Sequence, residues 1–442
     1  MLRRSTIPIA IVSGLTTLLL FILFFNVSWR SIPQAIGLGE TYGPTQEQIK
    51  SGENILPDLR TGKQGVAADP NAWREGDSAH FKEPKVESQS PYPVGITKPA
   101  GSNYTGRLVI PKMEGEDTRW IDEQLGDILA SGQMTTAIYH MDDPTAPLHP
   151  VKNKGNEVMA YLSYLIDFYE DLPDVSIFMH SHRYGWHNNI VFNKDSALMV
   201  RHLSPERVTR EGYMNLRCHW YPGCPDWMHP GAIERIYEKQ EEHILADSWA
   251  ELFPEDMIPT VLAQPCCSQF ALSRERIHAI PKERFVSLRE WLLGTELSDF
   301  LSGRVFEYIW QFIFTSSPYH CPSMSACYCD GYGVCFGDAE KFDYYFELNF
   351  NLNEYLQELH LWKQRAEAVA EAHEQAHAQG GELSGEESLD VPEVGRDQWL
   401  KTEIRKLEVE MHKRKEAALE LGRDPRQRAK EAGRPWKEGD GF

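Results

Sequence analysis

The densest set of reactive side chains in this chain is Phe178-Met179-His180-Ser181-His182-Arg183-Tyr184-Gly185-Trp186-His187-Asn188-Asn189. Three imidazoles, a guanidinium and an indole in one short stretch suit a metal ion, a phosphate or a sugar ring. His180, His182 and His187 are the candidate metal ligands. No Asp or Glu completes that set locally, so a hydrogen-bonded structural cluster is the competing reading.

Three further stretches hold chemistry. The turn Lys152-Asn153-Lys154-Gly155-Asn156-Glu157 precedes an apolar-periodic run. The start of a helix offers free backbone N–H groups and partial positive charge, which attract phosphate, and Gly155 permits close approach. A capped helix start with two solvated lysines is the plainer alternative. The stretch Gln264 to Ile277 contains Cys266, Cys267, Gln269, Arg274 and Arg276. Its arginines suit a diphosphate or Glu275. The adjacent cysteines are expected to pair with distant partners rather than with each other. In Ser302 to Phe314, Glu307 stands among aromatic residues. Burial would raise its pKa and make it a general base, whereas Arg304 three residues earlier offers an ion pair.

Those side chains need a scaffold. Arg107–Pro111, Thr135–His140 and Val175–His180 read as strands. Between the last two, Val158, Tyr161, Leu162, Leu165, Phe168 and Tyr169 follow helical spacing, with Asn156 as N-cap. Strand, helix, strand predicts a βαβ unit, and ligands of such sheets gather at the carboxyl ends of the strands. On a continuing strand, His180 and His182 would share a face. Phe306, Ile309, Trp310, Ile313 and Phe314 mark one core-facing helix. The fold class expected is α/β, with a mainly parallel sheet in a single domain over residues 104–350. Residues 351–442 read as a charged helical or partly disordered tail. Its weak stripe Leu400, Ile404, Leu407, Val409 and Met411 predicts a solvated helix.

The balance of 45 Lys+Arg against 65 Asp+Glu gives −20 over 442 residues, which argues against nucleic-acid binding. Ile7 to Val27 is an uncharged apolar run. At about 1.5 Å per residue it spans a hydrocarbon core of about 30 Å. Arg3 and Arg4 before it favour a cytoplasmic N-terminus, hence a type II signal anchor in the lipid bilayer. The tail is then 1–6, the anchor 7–27 and a Pro-, Gly- and Ser-containing flexible stem 28–103. All eight cysteines, Cys218, Cys224, Cys266, Cys267, Cys321, Cys327, Cys329 and Cys335, fall beyond the stem. An even set there reads as disulfides of an oxidising lumen. The spacing from Cys321 to Cys335 also suits zinc, but a pair of disulfides closing the domain is favoured. Asn103-Tyr104-Thr105 is a glycosylation acceptor.

Several ordered segments resemble an uncharacterised fungal domain-of-unknown-function family with single-pass members: EDTRWI, NKGNE followed by YLSYLIDFYEDLPD, FMHSHRYGWHNN, GYMNLRC, CCSQFALSRERI, SGRVFEYIWQFIF and the closing cysteines. More distantly, the tail, anchor, stem and luminal-domain plan is similar to GT-A-type glycosyltransferases. Such enzymes place an Asp-x-Asp motif where this chain has His180-Ser181-His182. The resemblance implies a nucleotide-sugar donor, a glycan or hydroxyl acceptor, a divalent metal (Mn or Mg) and residence in the Golgi or another secretory compartment. In that expectation Lys152 to Glu157 hold the diphosphate, while Arg183, Trp186, Gln269 and Arg274 line the donor site. Glu307, His182 and His187 do the chemistry. The alternatives are a metal-dependent hydrolase at the histidine cluster and a non-catalytic luminal scaffold.

Overall fold

A computed structural model describes residues 91–233, 239–378 and 390–438, all within one unit that spans Gln46–Phe442. The expected tail, anchor and most of the stem lie outside the described residues. Among the described residues no helix is long and apolar enough to cross a membrane.

In chain order the elements are β1 (Gly106–Lys112), α1 (Trp120–Ala130), β2 (Met134–His140), α2 (Val158–Asp167), β3 (Val175–Phe178), α3 (Ser196–His202), α4 (Pro205–Glu211), β4 (Tyr213–Asn215), α5 (Leu245–Leu252), β5 (Phe270–Ser273), α6 (Arg274–His278), α7 (Lys282–Gly294), α8 (Asp299–Glu307), α9 (Trp310–Thr315), α10 (Met324–Tyr332), α11 (Ala339–Ala378), α12 (Arg396–Leu421) and α13 (Pro425–Glu431). The strands form one sheet in the order β2-β1-β3-β5-β4.

The α/β class holds, but the sheet is mixed rather than mainly parallel. β1 pairs in parallel with β2 and with β3, whereas β5 pairs antiparallel with β3 and with β4. It follows that β5 alone runs against the other four strands. The expected βαβ unit is present, with β1 lying between its two strands. The third strand stops at Phe178, so His180 and His182 stand in the following loop. Helix α2 is preceded by Glu157 rather than capped by Asn156, whose φ of 54° is left-handed.

Alternation of side chains across the pleat builds the core on both faces of the sheet. Leu108, Ile110, Val175, Ile177, Met214 and Ala271 join one apolar cluster with residues of α1, α3 and α10. Val109, Phe178, Tyr213, Phe270 and Leu272 join the other with α2, α5, α7, α8 and α9. Because α2 lies under the sheet and among these helices, it is buried around its whole circumference from Val158 to Ile166. The aromatic run expected as one helix is two: α8 ends at Glu307 and α9 begins at Trp310.

The C-terminal helices are docked, not fully solvated. Leu400 and Ile404 of α12 form a small cluster with Leu359 of α11, while Met411 and Ala418 enter the main core. All eight cysteines are paired: Cys218–Cys327, Cys224–Cys321, Cys266–Cys267 and Cys329–Cys335. Two of these bonds tie the loop after β4 to the region of α10. The adjacent Cys266 and Cys267 bond to each other, contrary to expectation. The segment before them carries Pro265, and Cys267 and Ser268 adopt left-handed backbone angles of 88° and 48°.

Candidate functional site

The reversed strand decides which residues meet. The carboxyl ends of β1 and β3 and the amino end of β5 lie along one edge of the sheet. The loop leaving β3 therefore meets the loop entering β5. His180 follows β3; its backbone N–H donates to Gln269 Oε1 at 3.2 Å, and its Nε2 bonds the carbonyl of Cys267 at 2.8 Å. Gln269 in turn donates to Asn188 Oδ1 at 2.9 Å. The three imidazoles come together, with ring centroids 4.7 Å apart for His180 and His187, 5.0 Å for His182 and His187, and 5.6 Å for His180 and His182.

The turn that carries these rings is held by its own polar groups. Asn188 donates to the Lys194 carbonyl and to Ser196 Oγ, and Gly185 N–H donates to the Lys194 carbonyl. Gly185 is required for space: a Cβ there would lie 2.5 Å from His187 Cε1 and 3.0 Å from His182 Nε2. Burial drives the His182 imidazole down to about 3, with the neighbouring His180 acting the same way. Burial likewise holds His187 well below the usual range, helped by His180, His182 and Arg217. Both rings are neutral near pH 7 and can each donate and accept one hydrogen bond.

Two carboxylates reach the same edge from different elements. Glu307, the last residue of α8, accepts from the Cys267 backbone N–H at 2.8 Å and from Arg304 Nη1 at 3.1 Å. Arg304 also bonds Glu241 at 2.8 Å. Glu307 is thus ion-paired, and both of its oxygens are occupied. Glu157 arrives from the N-terminus of α2 and is only half-buried. Burial raises its carboxyl above the usual range; the charges of His180 and the hydroxyl of Ser268 pull it down, and Glu307 pushes it up. Of the two, Glu157 is the one placed to exchange a proton.

The remaining expected residues divide. Trp186 is adjacent to His187, 5.9 Å between ring centroids, and Arg217 lies over its indole at 5.2 Å. Gly155 has a left-handed φ of 69° and lies against Leu292. Lys152 and Asn153 are exposed, whereas Lys154 is buried and donates to the Thr295 carbonyl. Lys154 is therefore spent on the fold. Arg183 pairs with Asp195 at 2.7 Å and with Gln124 at 3.1 Å. Arg274 is at the opposite edge of the sheet, because it follows the reversed β5. There it bonds the Leu172 carbonyl and Asp174. Asn103 is exposed.

Sequence reading missed Ser268, Asn188, Arg217 and Lys194 as neighbours of the histidines. The first two carry no charge pattern that marks them. Arg217 is buried and donates to the carbonyls of Trp186 and Tyr221. Burial lowers it to about 10, and burial with Arg217 lowers Lys194 to about 8.

A metal can be asked of these donors. Among the described residues, the groups whose ligand atoms converge within 4.8 Å are Cys266–Cys267–Glu307 and Cys329–Cys335–Glu431, and the sulfurs of both are in disulfides. The three imidazoles share no such convergence, since His180 Nε2 is turned onto a carbonyl and His182 Nε2 faces His187 Nε2 at 3.3 Å. The donor set as arranged suits proton exchange and hydrogen bonding to a polar ligand better than a three-histidine metal centre.

No curated protein and no solved structure matches the chain. Residues 108–330 match the family described as "Protein of unknown function (DUF3431)". Glu157, the histidine loop, the Cys266–Cys267 turn and Glu307 all lie inside that half of the chain, and the protein belongs to the DUF3431 family.

Proposed function

We propose that this chain is a GT-A-like glycosyltransferase of the secretory pathway, anchored as a type II membrane protein and using a nucleotide-sugar donor. The observation that carries the reading is the meeting of Glu157, His180, His182 and His187 along the edge where β1 and β3 end. In doubly wound sheets that edge receives nucleotides. Four disulfides in one chain suit an oxidising lumen.

Glu157 is the base in this reading. A half-buried carboxyl with a raised pKa can take the proton of an acceptor hydroxyl as the sugar carbon is attacked. Neutral His182 and His187 orient acceptor or donor hydroxyls. Glu307, locked by Arg304 and the Cys267 amide, places the Cys267 turn and keeps a negative charge near Glu157. Trp186 offers an indole face to a sugar ring.

The test uses the purified full-length chain with UDP- and GDP-sugars, each with and without Mn²⁺. A donor that binds the native state at 100 times its Kd stabilises it by about 2.7 kcal/mol, read as a rise in Tm. Donor hydrolysis or transfer to a glycan acceptor should follow, and Glu157→Gln should lower kcat by about 10²-fold or more while donor binding persists. No Tm response to any donor, with or without Mn²⁺, would sink the reading.

A further inference from the structure

Three of the four disulfides have an evident structural purpose. Cys218–Cys327 and Cys224–Cys321 close loops with sequence separations of 109 and 97, and Cys329–Cys335 closes the C-terminal end of α10. Cys266–Cys267 has a separation of 1 and closes no loop. In the chain-entropy account it contributes almost nothing to folding, because the unfolded chain loses no freedom of consequence. Its effect is local. It holds Cys267 between two groups of the candidate site: the Cys267 carbonyl bonds His180 Nε2, and the Cys267 N–H bonds Glu307 Oε1.

The backbone there has a conformation that ordinary residues avoid. Cys267 and the next residue, Ser268, both have positive φ, at 88° and 48°. Non-glycine residues held in such regions cost on the order of 1–3 kcal/mol each, and surrounding constraints must enforce them. At Cys267 the constraints are the bond to its neighbour and the backbone hydrogen bonds to His180 and Glu307. Cys266 is buried, whereas Cys267 is half-buried. The other six cysteines are all buried.

We propose that Cys266–Cys267 is a reducible site that takes a small dithiol and thereby sets the geometry of the His180–Glu307 edge. A thiolate of the dithiol attacks one sulfur, forming a mixed disulfide and releasing the other Cys as a thiolate. The second thiol of the reductant then closes on the first. The chain gains two electrons and two protons as two thiols, and the reductant leaves as a cyclic disulfide. With the ring opened, Cys267 relaxes from left-handed φ. Its carbonyl leaves His180, and its amide leaves Glu307. The inference concerns the same edge as the proposed transfer reaction but does not require it, so a failed transfer assay leaves it standing.

The experiment treats the full-length chain with graded dithiothreitol without denaturant, traps thiols with iodoacetamide and maps them by mass spectrometry. Amide hydrogen exchange is followed on the same samples. Cys266 and Cys267 are expected to be alkylated roughly ten times faster than any other cysteine, as suits the more accessible bond. Exchange at the Cys267 amide is expected to rise about tenfold or more while the amides of β5, Phe270–Ser273, stay protected. The double variant C266A/C267A should show the same exposed amide without reductant. Prior reduction of another pair overturns the proposal, as does a Cys267 amide that remains protected after reduction. Loss of protection throughout β5 also overturns it, since the bond would then be a staple of the fold.

Discussion

At the scale of single residues, the site is set by space and burial more than by charge. Gly185 shows it most directly. An added methyl would press on His187 and His182, and His187 cannot retreat far, because it is buried beside His180 and Arg217. Gly185→Ala is expected to destabilise the chain by about 1–3 kcal/mol, the usual cost of overfilling a close-packed site. Urea denaturation of the variant against wild type checks this. Glu157 and Glu307 show why residue type alone misleads. Glu307 is the carboxylate among aromatics, yet Arg304 and a backbone amide claim both of its oxygens. Glu157 looked like part of a phosphate turn, yet its position at the start of α2 places it beside His180 and Ser268.

At the scale of elements, the long-range disulfides and the docked C-terminal helices both carry stability, whereas the Cys266–Cys267 bond carries little. The bonds Cys218–Cys327 and Cys224–Cys321 tether the loop after β4 to α10 across long stretches of chain. Replacing Cys224 and Cys321 together by Ser should cost about 2–5 kcal/mol, whereas C266A/C267A should cost less than about 1 kcal/mol. Paired denaturation curves separate the two cases. The helices α11 and α12 pack against each other through Leu359, Leu400 and Ile404. Leu400 is fully buried, so Leu400→Ala should cost about 2–5 kcal/mol. Hydrogen exchange should report the loss first in α12, and the β-sheet amides should keep their protection.

At the scale of the whole molecule, buried neutral imidazoles link stability to pH. Burial lowers His182 to about 3 and His320 to about 4, and holds His187 and His219 well below their usual range. In the unfolded chain these groups protonate near pH 6.5. Below that pH the unfolded state binds more protons than the folded state, so stability falls as pH falls. The loss runs from about 6.5 down to each folded value, at up to about 1.4 kcal/mol per pH unit for each ring. Burial raises the carboxyls of Glu157 and Glu241, which works the other way above the usual carboxylate range, but the histidines outnumber them. Unfolding free energy from urea titrations at pH 7, 6 and 5 should therefore decline steadily; a flat profile would show that the imidazoles are protonated in the folded chain.

The amino-acid sequence by itself determined the α/β class, the first three strands, the helix between the second and third, and the histidine loop after the third. Each of these rests on local patterning: β-branched and apolar runs, helical spacing, and breaks at Leu172-Pro173. Only the tertiary structure decided the direction of β5, which no local pattern encodes because the chain returns to the sheet after a long excursion. That reversal brought Cys267 and Gln269 to His180 and sent Arg274 to the far edge, beside Asp174. It also decided the partner of Cys266, since which sulfurs meet depends on where the backbone turns. Pairing Glu157 with the histidines likewise depended on α2 returning beneath the sheet, so that the residue preceding it lies at the edge where β1 and β3 end. Side-chain chemistry is written locally, but which groups face one another is set by strand order and direction, and those follow from burying both faces of one sheet at once.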